Sequence, residues 1–178
     1  VPAGVTSIDT LVVGGGAGGA NQGGSAGGGA GGSMLNGIAV EPGAKIVNTV
    51  GQGGTGATSG PDVAAGNGFD SSVLIGETEI VGNGGKAAKG GNATDGFAGG
   101  DAGKSGYSNY FSGQKIVYGA GGSVATDTTA ATAATSTGNG GGSVADNTAG
   151  GAGGSGVVVI RYATDPLNAF PASFGTPF

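Results

Sequence analysis

The chain has 178 residues, of which 47 are glycine, six basic and 11 acidic, for a net charge of −5. So little basic charge argues against a nucleic-acid or anionic-membrane surface, and no apolar run approaches the ~20 residues of a membrane span. There is no cysteine and no histidine, so no disulfide staples the fold, and the commonest general base and soft metal ligands are missing.

In chain order, residues 5–13 (VTSIDTLVV) predict a strand rich in β-branched side chains. A first glycine tract occupies 14–33. Residues 37–40 and 44–50 predict two short strands joined by a turn at Glu41-Pro42-Gly43. A second tract fills 51–60. Short strands follow at 72–75 and 77–81, broken at Gly76, and a third tract runs from 82 to 106. Residues 114–118 predict a strand, and 123–137 an Ala/Thr-rich surface excursion. A fourth tract spans 138–156, and 157–162 (VVVIRY) reads as a last strand, apolar enough to be central. Asn36-Gly37, Asn67-Gly68, Asn83-Gly84 and Asn139-Gly140 carry turn chemistry. No window of about 12 residues has an amphipathic helical period.

The third tract is the most regular. From Asn83 it reads NGG KAA KGG NAT DGF AGG DAG KSG. Polar residues open every triplet but one, at Asn83, Lys86, Lys89, Asn92, Asp95, Asp101 and Lys104. A period of three suits neither helix nor strand. It suits the three-residue turn of polyproline II, which glycine adopts while letting backbones approach closely. Ordering a glycine costs roughly 0.5–1 kcal/mol more than ordering alanine. Such a chain folds only where a Cβ would clash and backbone amides pair densely. The expected fold class is all-β and irregular: short strands framing glycine tracts packed as polyglycine-II helices, with almost no α-helix. Gly84, Gly90, Gly96 and Gly99 are the expected lattice interior. Straight, the third tract would reach about 75 Å, so it is expected to fold back on itself.

Residues 1–162 are expected to form one domain and 163–178 a C-terminal arm. The arm, ATDPLNAFPASFGTPF from 163, has Phe170, Phe174 and Phe178 at every fourth position, while Pro171 and Pro177 forbid a regular helix.

Residues 14–19 satisfy G-x-G-x-x-G after a strand, but the fingerprint needs a following helix to hold a pyrophosphate. Residues 20–33 hold seven glycines and cannot supply one. Residues 98–105 (AGGDAGKS) fail as a phosphate loop on the same test. Glu77 and Glu79 are expected on one strand face as solvated charges. Asp95 and Asp101, flanked by Lys89 and Lys104, suit weak surface pairing or, less well, calcium ligation. Tyr107, Tyr110 and Phe111 are expected in a loop, either as a small apolar plug or as a recognition surface. No catalytic residue, cofactor or metal site is expected.

The opening Val1-Pro2-Ala3-Gly4-Val5-Thr6-Ser7-Ile8-Asp9-Thr10-Leu11-Val12-Val13-Gly14-Gly15-Gly16 resembles that of glycine-rich domains in bacteriophage tail and bacterial surface proteins. Val40-Glu41-Pro42-Gly43 with Val50-Gly51-Gln52-Gly53-Gly54 resembles their second signature, and residues 150–162 (GGAGGSGVVVIRY) their closing strand. The resemblance implies a compact β-framework with glycine-rich excursions and, as in related phage adhesins, a sandwich of polyglycine-II helices tipped by receptor-binding loops. It carries no catalytic residues. The Ala/Thr stretch and the Phe/Pro arm depart from it.

The function expected is a non-enzymatic structural subunit of an extracellular or virion fibre. Its partner is a copy of itself, docked through Phe170, Phe174 and Phe178. The alternative is an adhesin binding a host glycan or protein through Tyr107, Tyr110, Phe111 and the 123–137 stretch. Neither nucleic acid nor membrane is an expected partner.

Overall fold

A computed structural model of the chain describes residues 1–21, 26–59, 65–87, 90–91, 96–124, 133 and 136–163. Among these are nine strands and no helix: β1 (Ser7–Val13), β2 (Gly32–Ala39), β3 (Ile46–Thr49), β4 (Ser71–Ile75), β5 (Thr78–Gly82), β6 (Gly96–Phe97), β7 (Tyr107–Asn109), β8 (Ile116–Tyr118) and β9 (Val157–Arg161). The fold is all-β. The strands form three antiparallel sheets, ordered β6-β2-β1-β9, β3-β4-β5 and β7-β8.

The four-stranded sheet is covered on both faces. Side chains alternate along a strand, so Ile8 and Val12 of β1 face one way and Leu11 and Val13 the other. The first pair packs with Val5, Val40, Val73, Ile75 and Ile80, which joins β1 to the β3-β4-β5 sheet. The second pair packs with Ala30, Phe97, Phe111 and Tyr118, the last two contributed by the β7-β8 hairpin and its loop. Double coverage explains the unbroken apolar run in β9: Val158 and Ile160 join the first cluster, Val157 and Val159 the second. It does not make β9 central, as its apolarity suggests; β9 is an edge strand.

The Asn-Gly pairs do not make the expected turns. Asn36-Gly37 sits inside β2, which starts at Gly32, earlier than the glycine content suggests. Ile8 lies opposite Ile38 and Thr10 opposite Leu35, so Asp9 alone faces Asn36 and Gly37. This is a β-bulge, and Gly37 supplies its positive φ of 68°. The other three pairs lie in extended tracts with no turn assigned. Reversals fall at other glycines. The expected turn at Glu41-Pro42-Gly43 is made, with Gly43 at φ 84° and Ala44 N–H donating to Glu41 O at 3.0 Å. Gly76, at φ 60°, opens the two-residue loop between Ile75 and Thr78, as a type II′ turn requires.

Glycine tracts continue the strands without changing register. β1 ends with Val13 opposite Gly32. Gly14 N–H then donates to Gly31 O at 3.2 Å and Ala17 N–H to Gly28 O at 3.0 Å, in the same register. Val13 also lies opposite Val157 in β9, and Gly16 and Gly19 carry that pairing on to Gly154 and Gly151, both at 2.9 Å. The β3–β4 register likewise continues as Phe69 N–H to Gln52 O at 2.9 Å and Gly66 N–H to Thr55 O at 2.8 Å. At each transition the hydrogen-bond repeat changes from two residues to three.

The third tract does fold back, with Gly99 N–H donating to Gly91 O at 2.9 Å. It is interrupted by β6, where Gly96 and Phe97 pair with Ser33 and Gly32.

Candidate functional site

Residues 14–20 lie at the centre of the backbone network. Gly14 and Ala17 donate to the 28–31 stretch, Gly15 and Gly18 to Phe69 and Gly66, and Gly16 and Gly19 to Gly154 and Gly151. The same stretch accepts from Gly54 and Ala57, from Gly141 and Val144, and from Gly85. Six neighbouring segments therefore surround one segment. A Cβ added at Gly15 would fall on Gln52 O, and one at Gly16 on Asn139 O; three residues on, Gly18 and Gly19 would meet Thr55 O and Gly142 O. Methyl groups fit only at intervals, as at the fully buried Ala17, Ala26 and Ala30.

The G-x-G-x-x-G match at 14–19 is accordingly an interior segment. All six of its amides donate to protein carbonyls, leaving none for a phosphate. In the second phosphate-loop match, Gly99 and Gly100 also donate to carbonyls, those of Gly91 and Gly119.

The four proposed interior glycines fall in different settings. Gly84 is buried, Gly90 and Gly99 are half-buried, and Gly96 is an exposed residue of β6 rather than of a tract. At all four a Cβ would collide with backbone: with Gly68 O, Gly99 O, Gly32 O and Gly29 O for Gly84, Gly90, Gly96 and Gly99 respectively.

Polar side chains close the network where a backbone acceptor is lacking. Asp70 Oδ1 accepts from Gly84 N–H at 2.7 Å, and three residues along each segment Asn67 Oδ1 accepts from Ala87 N–H at 3.3 Å. Asp101 Oδ1 accepts from Gly90 N–H at 3.0 Å and Asn139 Oδ1 from Ala120 N–H at 2.9 Å. This use of Asp101 is a role that sequence reasoning missed; polar residues at triplet spacing were its only signal. Asp95, Lys89 and Asn92 lie outside the described residues. Glu77 belongs to the turn before β5 while Glu79 lies in the strand, so they do not share a strand face.

The segment 51–58 has one open side. Gly51, Gly54 and Ala57 are buried, whereas Gln52, Thr55 and Thr58 are exposed. Gly54 and Ala57 donate to Gly16 O and Gly19 O, and Gly51 to Ser71 Oγ. Among the described residues, the amides of Gln52, Gly53, Thr55 and Gly56 have no protein acceptor.

The aromatic cluster is split. Tyr107 is in β7, a strand rather than a loop, because it pairs with Tyr118. Its ring stacks on Phe97 with centroids 4.5 Å apart. Tyr110 is 66% exposed. Phe111 is 7% exposed and belongs to the core; Arg161 Cζ lies 4.3 Å from its ring centroid. Arg161 Nε also donates to Asp9 Oδ2 at 2.9 Å, while Asp9 Oδ1 accepts from Gly37 N–H at 2.8 Å. The Gly37 amide, with Arg161 second, holds the Asp9 carboxyl below its usual value. Phe170, Phe174 and Phe178 lie outside the described residues, as does most of 123–137; Val124 within that stretch is exposed.

A β-framework whose glycine segments are bonded backbone to backbone defines an all-β glycine-rich protein. Residues 1–129 match the glycine-rich domain family, and the chain belongs to that family. No curated protein matches it.

Proposed function

We propose that this protein is a non-enzymatic structural subunit of an extracellular or virion fibre or filament, and that its glycine segments are polyglycine-II helices. The observation that carries the reading is the three-residue hydrogen-bond repeat around residues 14–20, the turn length of that helix. The reading assigns the molecule's rigidity to the main chain rather than to a reactive site. Copies associate through exposed backbone and through the arm. The amides of Gln52, Gly53, Thr55 and Gly56, which have no protein acceptor among the described residues, and the edge strands β3 and β9 offer such backbone, since an edge strand is a template for another chain. Phe170, Phe174 and Phe178 supply apolar anchors on the adjacent copy. Deleting residues 166–178 is expected to abolish assembly, seen by electron microscopy and sedimentation, while far-ultraviolet circular dichroism stays that of the folded domain. Undiminished assembly of the truncated protein would refute the docking role.

The exposure of Tyr110 and, beside it, the stacked Tyr107 favours a second reading, a surface adhesin for a host glycan or protein. Tyr107→Ala with Tyr110→Ala then removes binding to host cells and leaves assembly intact. Phe111, buried in the loop that joins β7 to β8, contributes to this surface only by supporting it.

A further inference from the structure

Asn-Gly is chemically the most fragile dipeptide in this chain. The glycine nitrogen, on losing its proton, attacks the asparagine Cγ. A new N–Cγ bond forms, the Cγ–NH2 bond breaks and ammonia leaves. Water then opens the resulting succinimide at either carbonyl, giving aspartate or isoaspartate. Without a side chain, glycine offers no steric barrier to ring closure.

All four such pairs have the attacking nitrogen tied down. Gly68 N–H donates to Gly85 O at 2.9 Å and Gly140 N–H to Ala120 O at 2.8 Å, as network bonds. The other two are held by carboxylates: Gly37 N–H by Asp9 Oδ1 at 2.8 Å and Gly84 N–H by Asp70 Oδ1 at 2.7 Å. A carboxylate restrains the nitrogen twice. It fixes the amide in a charge-assisted bond, and its negative charge opposes formation of the amide anion beside it. Asn36 is exposed on its bulge, so burial does not protect it.

We propose that Asn36 and Asn83 are latent deamidation sites, held closed by Asp9 and Asp70 respectively. Each carboxylate guards one dipeptide, and its removal releases that site alone.

The test is isoaspartate and aspartate formation at each of the four asparagines, followed by peptide mass spectrometry during incubation of the full chain at mildly alkaline pH. Asp9→Ala is expected to speed the reaction at Asn36 and not at Asn83, and Asp70→Ala the converse. The gain should be about ten- to hundredfold, the value of one hydrogen bond to a charged group. Asp9→Asn keeps an acceptor without the charge and should fall between the wild type and Asp9→Ala. Arg161→Gln breaks the ion pair but leaves Asp9 on Gly37, and should leave Asn36 at the wild-type rate. An unchanged rate at the guarded site would overturn the proposal. So would a rise at all four asparagines in either variant, because that is loss of structure rather than loss of a guard.

Discussion

Gly16 donates its amide to the Gly154 carbonyl at 2.9 Å, three residues beyond the rung where Val13 faces Val157. The bond inherits its register from the β-ladder. That inheritance solves a problem of sequence information. One glycine is like the next, so a glycine segment cannot choose its own alignment, whereas a strand with one buried face is aligned by its side chains. Leu11, Val12 and Val13 are fully buried and set the position of everything that follows them.

Phase should therefore matter more than length. Deleting Gly18 alone shifts every later residue of its segment to the wrong neighbour, and the chain should fail to give a dispersed NMR spectrum. Deleting residues 17–19 removes one full repeat. That variant should remain folded, with a lowered midpoint in urea.

Close approach should dominate the cost of substitution within the segment. Gly16→Ala places a methyl group on Asn139 O and should destabilise by about 1–3 kcal/mol or more, as overpacking does. Ala17→Gly, one residue on, leaves backbone contacts intact and should cost only about 1 kcal/mol. Urea denaturation of the two variants gives the comparison.

Thr10 is fully buried and its Oγ1 has no hydrogen-bond partner among the described residues. Thr10→Val keeps the shape and removes a hydroxyl that burial penalises by roughly 1–3 kcal/mol. The variant should have a higher denaturation midpoint than the wild type.

Phe111 and Tyr110 are neighbours in sequence with opposite surroundings. Phe111→Ala should cost about 3–5 kcal/mol, as a core truncation. Tyr110→Ala should change stability by no more than about 0.5 kcal/mol. Thermal or urea melting of both variants separates the supporting residue from the surface one.

Asp9 binds protons less readily when folded than when unfolded, because Gly37 N–H and Arg161 favour its charged form. Its contribution to stability is present above the unfolded carboxyl value and is lost as pH falls through the depressed folded value. In carbon-detected NMR, Asp9 should titrate below an ordinary aspartate. In Arg161→Gln, which removes the second cause and leaves the Gly37 bond in place, its titration should move part of the way back up. An ordinary value in the folded wild type would show that the Gly37 bond is not made.

Much of this architecture was legible in the sequence. Strand-forming runs such as SIDTLVV and VVVI lie in β1 and β9, and the glycine tracts fall where the sequence places them between strands. What misled were residues whose local chemistry has two uses. Asn36-Gly37 reads as a turn because glycine accepts positive φ, yet the same φ makes a bulge within β2. The apolar run of β9 reads as a central strand, yet coverage of both faces suffices to explain it. Tyr107, Tyr110 and Phe111 are contiguous enough to suggest one surface, yet the β7–β8 pairing turns Phe111 inward. Pairing between tracts was not legible, because it is set by strands that lie far apart in the chain.

Amide hydrogen exchange tests the central claim, that glycine backbones bonded to one another make the interior. Gly15, Gly16, Gly18 and Gly19 should be protected as strongly as Leu11 and Val12 in β1. In the segment 51–57, protection should recur at Gly51, Gly54 and Ala57, with rapid exchange at Gln52, Gly53, Thr55 and Gly56 between them. Uniformly rapid exchange across these glycines, with protection confined to the strands, would contradict the account.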